Sequence, residues 1–118
     1  MQDKNVREVL EGAFDAIHGW RKREKSPGYW EHHPLWFRFR RFLDVEAYLD
    51  AAMMLVPEHV AIERLSTWPG GSVNCCLYGT HEHNGERWHN GSDGRWNAEA
   101  DHPAIALATA ALKAKEQP

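Results

Sequence analysis

Two turn sequences cut the second half of the chain into short pieces. Trp68-Pro69-Gly70-Gly71 separates HVAIERLST from SVNCCLYGT, and Asn84-Gly85 stands inside HEHNGERWH. Proline presets a turn's φ and glycine takes the positive φ that many turns need, while Asn-Gly is the strongest short hairpin signal. The flanking runs are strand-like. A β-meander is therefore predicted, broken by Asn90-Gly91-Ser92-Asp93-Gly94 and resumed over Arg95 to Ala98. Alternation puts Val73, Cys75 and Leu77 on one face and Cys76 and Tyr78 on the other. Both faces are half apolar, which predicts cover on both.

The cover is predicted to be helical. Val6, Leu10, Ala13, Phe14, Ile17 and Trp20 fall at helical spacing, giving an amphipathic helix over 3–24 that stops at Ser26-Pro27-Gly28. Gly12 and Gly19 weaken it by roughly 1 kcal/mol each. Asp44 reads as an N-cap, and Val45, Leu49, Ala52, Met53 and Val56 as the apolar stripe of a helix over 44–56 closed by Pro57. Near the end, Asp101 reads as a cap and Pro103 as a first-turn residue. Ile105, Ala108 and Leu112 form the stripe there, the alanines permit close approach to a sheet, and Lys113 and Lys115 suit the negative end. The segment YWEHHPLWFRFRRFL reads differently. Phe37 and Phe39 alternate with Arg38 and Arg40, which predicts a short strand or extended arm after Pro34.

The predicted fold is a single α+β domain over 1–118, a small antiparallel meander sandwiched between helices in α/β/α layers. Residues 1–28 form the N-terminal helix and turn, and 44–116 a helix–meander–helix core. A length of 118 residues fits one core. No run of about 18 apolar residues exists, so no membrane span is expected. The start, MQDKNVREVLEG, has no apolar signal region, and a cytoplasmic location is expected. A net charge of −3 gives no general pull toward nucleic acid, so direct nucleic-acid binding is not expected. The adjacent Cys75 and Cys76 point to opposite faces and read as free thiols.

Three local sequences occur in an order that resembles a known group. LDAAMMLVP (Leu49 to Pro57) precedes STWPGGSVNCCLYG, and the chain closes with HPAIALATAALKAK, containing Pro103, Ala104, Ala106, Ala110, Ala111, Leu112, Lys113 and Ala114. Together they resemble the phage ABA-sandwich domain family, small phage and prophage proteins. FDAIHGW is similar, more loosely, to that group's first helix. The resemblance covers residues 44–115 and implies a sheet between helical layers and a phage or prophage setting, in the cytoplasm of a host cell. It implies no activity and no catalytic residues. The stretch 35–42 and the His-rich hairpin depart from the group's pattern.

Those two departures hold the candidate sites. Pairing about Asn84-Gly85 sets His83 opposite Glu86, Glu82 opposite Arg87, His81 opposite Trp88 and Thr80 opposite His89. One face then carries His81, His83, Glu86 and Trp88. Two His and a carboxylate can hold a catalytic zinc, so His81, His83 and Glu86 are weak metal candidates. The spacing matches no zinc module, and the plainer reading is a polar hairpin with Glu82 and Arg87 as a charge pair. His32-His33 could complete a site only in space.

In LWFRFRRFL, Arg38, Arg40 and Arg41 could stack on bases or grip phosphates, with Trp36, Phe37 and Phe39 as a platform. The plainer reading sends Phe37, Phe39 and Phe42 into the core and leaves the arginines solvated. Even then an arginine ridge beside exposed tryptophans makes a protein-binding hot spot. Nucleophilic and phosphate-binding motifs are absent, and Glu46 and Asp50 lie on what reads as a solvated face.

The expected function is therefore binding without catalysis or cofactor. In the phage setting, the expected role is to bind and inhibit a host antiviral protein complex of the CRISPR type by occluding a working surface. Expected partner-binding residues are Trp36, Arg38, Arg40, Arg41, Trp88 and Trp96, with Trp30 and Trp68 on the same aromatic-rich face. Two rivals are a sponge for a nucleotide signal, with an aromatic pocket and arginines, and a small metal enzyme built on His81, His83 and Glu86. The sequence leaves open whether a sheet edge pairs with a second copy to form a homodimer.

Overall fold

The last helix organises the rest. A computed structural model describes residues 3–18, 34–89 and 94–116. In it α4 (Pro103–Glu116) is buried at Ala104, Ala106, Leu107, Ala108, Ala110, Ala111 and Ala114. A helix apolar nearly all round has to be covered nearly all round. α4 lies on β5 (Arg95–Ala100), on β2 (Val73–Gly79) and, more lightly, on β1 (Val60–Thr67). It also packs against α1 (Asp3–His18) and α3 (Tyr48–Met53). The single stripe predicted for this helix is too narrow: Ile105 and Leu112 are only half-buried, and the alanines let several neighbours close in at once.

His102, not Asp101, caps α4. Its carbonyl accepts from the Ala106 N–H at 3.0 Å, and its Nδ1 accepts from the Ala104 N–H at 3.0 Å. Lys113 and Lys115 also do more than suit the helix dipole. Lys113 Nζ donates to the Asn97 carbonyl on β5 at 2.6 Å, and Lys115 Nζ donates to the Ile17 carbonyl in the last turn of α1.

The class is α+β, with helices packed on a small antiparallel sheet in the order β1-β2-β5. Val73, Cys75 and Leu77 pair with Ala100, Ala98 and Trp96 and face the core, as alternation predicts. The register of β1 against β2 shifts between Ile62 and Arg64. The opposite face is largely polar, with Asn74, Cys76 and Tyr78 beside Asn97, Glu99 and Arg95. Among the described residues α4 is the helix that packs directly on the sheet.

A separate two-stranded hairpin, β3 (His81–His83) and β4 (Glu86–Trp88), interrupts the chain between β2 and β5. The return strand after Asn84-Gly85 therefore pairs inside the hairpin, and β5 is the true neighbour of β2. The Gly79 N–H donates to the Gly94 carbonyl at 3.0 Å and closes the base of this excursion. Gly94 has φ 89°, and a Cβ there would lie 3.1 Å from the Trp96 ring. The tip keeps φ 53° at Asn84 and 80° at Gly85, the geometry that makes Asn-Gly favourable.

The segment read as a strand or arm is helix α2 (Pro34–Asp44). Pro34 is its first residue, where a missing N–H costs nothing. Trp36, Phe39 and Leu43 are buried at helical spacing, while Phe37 is 57% exposed. Phe14 of α1 meets Phe39 at 4.6 Å and Trp36 at 5.1 Å between ring centroids. That aromatic cluster uses i and i+3, which a strand could not present together.

Asp44 ends α2 instead of starting the next helix. The Ala47 N–H donates to Phe42 O at 2.8 Å and the Glu46 N–H to Leu43 O at 3.1 Å, a Schellman closure with Glu46 at φ 59°. Helix α3 is consequently short. Of its predicted stripe, Ala52 is buried, whereas Val45 is 72% and Met53 51% exposed. Ala51 and Leu55 are buried beside Ala52. Residues 19–24 of the predicted first helix, with Trp20, lie outside the described residues.

Candidate functional site

Helix α2 divides its aromatic and basic residues between two sides. The inner side holds Trp36, Phe39 and Leu43; the outer side carries Phe37, Arg38, Arg40 and Arg41, all exposed. Residues three and four apart are neighbours on a helix surface, so Phe37 adjoins Arg40 and Arg41, and Arg38 adjoins Arg41. None of the three arginines is ion-paired among the described residues. Arginine guanidinium forks left without carboxylate partners are suited to carboxylates or phosphates on another molecule.

A pocket of about 220 Å³ opens on this helix, lined by Trp36, Phe37, Arg40, Arg41 and Asp44. Asp44 also receives Arg7 Nη2 of α1 at 3.0 Å, and Arg7 Nε donates to Glu11 at 2.9 Å. The paired carboxylates hold the Arg7 guanidinium above its ordinary pKa, Glu11 contributing most. One end of the ridge is thereby tied to α1.

The tryptophans expected to form one aromatic face do not act together. Trp36 and Trp96 are core residues, 8% and 7% exposed. Trp36 reaches the surface only as part of the pocket wall, and Trp96 packs under β2 opposite Leu77. Large rings contribute much of the volume of a small core, and Trp96 joins Phe14 and Phe39 there, away from the exposed side of α2. Trp68 and Trp88 are 56% and 52% exposed, and Trp30 lies outside the described residues.

The hairpin has the predicted register: His83 opposite Glu86, Glu82 opposite Arg87 and His81 opposite Trp88. Among the described residues no three His, Cys, Asp or Glu side chains come together in a group that could hold a metal, His81, His83 and Glu86 included. His32 and His33 lie outside the described residues.

A second pocket, about 320 Å³, sits at the corner where the hairpin leaves the sheet. Glu58, Val60 and Ala61 line it from the β1 side, and Arg87, Trp88 and His89 from the hairpin side; Tyr78 and Thr80 lie between. His89 Nδ1 lies 2.6 Å from the Gly79 carbonyl, and its ring meets Tyr78 edge-on at 4.9 Å. A carbonyl only accepts, so Nδ1 carries a proton in this contact. Sequence reading missed this corner. Its signal was the glycine-bounded excursion itself, which returns His89 beside Gly79.

On the polar sheet face, Cys76 Sγ donates to Glu63 Oε2 at 3.0 Å, and Arg95 Nη1 donates to the same oxygen at 2.5 Å. Those two contacts, Arg95 first, hold the Glu63 carboxyl below the ordinary range. Burial and then Glu63 push the Cys76 thiol up, and burial pushes Cys75 up to about 11. Both cysteines are free, as expected, and both are buried. Thiols raised in this way are poor nucleophiles at neutral pH.

No family model, curated protein or solved structure matches the chain.

Proposed function

We propose that the protein works by surface contact without catalysis, and that the outer side of α2 is the contact surface. The observation that carries this reading is the set of Arg38, Arg40 and Arg41 without ion-pair partners among the described residues, beside an exposed Phe37. Arginine with an aromatic anchor is the composition of a binding hot spot. The complementary surface is acidic, with an apolar recess for the Phe37 ring. In the phage setting implied by the local sequences, that surface belongs to a host antiviral complex of the CRISPR type, and its occlusion is the inhibitory act.

The test is capture of the host complex by immobilised protein, with mass spectrometry of what is retained, followed by titration of the purified complex. Replacing Arg38, Arg40 and Arg41 together by alanine is expected to weaken binding at least tenfold, about 1.4 kcal/mol or more. Phe37→Ala is expected to do the same with little change in stability. Capture unaltered in both variants removes α2 from the interface and points to the hairpin tip.

A further inference from the structure

We propose that the corner pocket between sheet and hairpin is a second, separate site, which takes a nucleoside monophosphate. Its volume of about 320 Å³ lies at the small end of ligand pockets. The walls divide by chemistry. Trp88, 52% exposed, and Tyr78 supply aromatic surface for a planar heterocycle. Arg87 supplies a guanidinium with no ion-pair partner among the described residues, suited to a phosphate. Glu58 supplies an acceptor at the β1 side, which favours a base edge presenting adjacent N–H donors, as guanine does.

The pocket is also held in shape by hydrogen bonds at its base. The Gly79 carbonyl fixes the His89 ring through Nδ1. Thr80 Oγ1 donates to the His59 carbonyl at 2.9 Å, and the Thr80 N–H donates to that carbonyl at 2.8 Å, pinning the chain where the hairpin begins. Together they hold the walls at a fixed spacing, which lowers the ordering cost of binding.

The experiment is calorimetric titration of the full chain with GMP, AMP and inorganic phosphate. The expected result is saturable one-to-one binding of GMP, tighter than AMP and much tighter than phosphate. Arg87→Gln and Trp88→Leu should each weaken GMP at least tenfold, with unchanged melting temperature because both side chains are exposed. The triple alanine variant of Arg38, Arg40 and Arg41 should bind GMP as the parent does, which separates this site from the α2 surface. Absence of saturable binding by either nucleotide overturns the proposal. So does equal affinity for GMP and free phosphate, or GMP binding lost on the α2 variant and kept in Arg87→Gln. Equal affinity for AMP and GMP overturns the role given to Glu58.

Discussion

The ammonium of Lys115 donates to the carbonyl of Ile17, 98 positions earlier in the chain. Ile17 lies near the C-terminal end of the described part of α1. One side chain thus fastens the first helix to the last. Lys115→Met is expected to cost about 1 kcal/mol, the net scale of a charged hydrogen bond that is partly solvated. Lys115→Arg should recover part of it. Urea midpoints compared at constant slope would show this, and an unchanged midpoint in Lys115→Met would remove the contact from the account.

Two adjacent aromatics on α2 should respond in opposite ways. Trp36 packs on Phe14 and is 8% exposed, whereas Phe37 is 57% exposed. Trp36→Ala should destabilise the fold by roughly 3–5 kcal/mol, the range for emptying a core aromatic site. Phe37→Ala should stay within about 0.5 kcal/mol of the parent, as surface changes do. Chemical denaturation of both variants is the measurement. Comparable losses in the two would mean that α2 does not divide its aromatics between core and surface.

Why the sequence misled at α2 follows from residue types. Phe37-Arg38-Phe39-Arg40 is a perfect short alternation, yet Leu35, Trp36, Phe39, Phe42 and Leu43 also carry helical spacing. Periodicity alone does not separate the two over so few residues. Contact with Phe14, 25 or so positions away, decides it. The boundary after α2 was hidden for another reason: the left-handed C-terminal position is Glu46, and the usual glycine signal is missing. Asp44 then looked like a cap for a helix that starts later. The strands were legible because Pro69, Gly70, Gly71, Asn84 and Gly85 fix the turns locally. The corner pocket was not, because its walls come from three places that only the closed sheet brings together.

Glu46 at φ 59° gives a direct stability test. An L-residue in this region carries a steric cost of roughly 1–2 kcal/mol, partly returned for glycine by its larger unfolded-state entropy. Glu46→Gly is therefore expected to stabilise by about 0.5–1 kcal/mol, with Glu46→Val destabilising. Thermal melts of the two variants would read the sign. A loss of stability in Glu46→Gly would show that the closure of α2 depends on the glutamate side chain and not on backbone geometry.

Cys75 is fully buried, and burial raises its thiol from 9.0 to about 11. A raised folded value means that its contribution is intact below pH 9 and is lost as pH rises toward 11, because the unfolded chain releases the proton first. The stability difference between the parent and Cys75→Val should be flat up to about pH 9 and then shift in favour of valine. A disulfide-exchange reagent at pH 8 should react with Cys75 only at the rate of opening. Rapid stoichiometric reaction of the native protein would contradict the burial.

Glu63 titrates in the other direction. Arg95 and then Cys76 hold its carboxyl below the ordinary value of 4.5. A depressed folded value means the contribution is present above 4.5 and is lost as pH falls through the folded value, since the unfolded chain takes up the proton first. The pair is solvent-exposed, so the effect should be small and weakened by salt. Glu63→Gln keeps the shape and removes the charge. Its urea midpoint should fall below that of the parent at pH 6, and the gap should narrow as pH falls below 4.5. The two curves staying parallel through that range would mean that Arg95 gains nothing from the carboxylate, and that β1 is held at its register shift by backbone pairing alone.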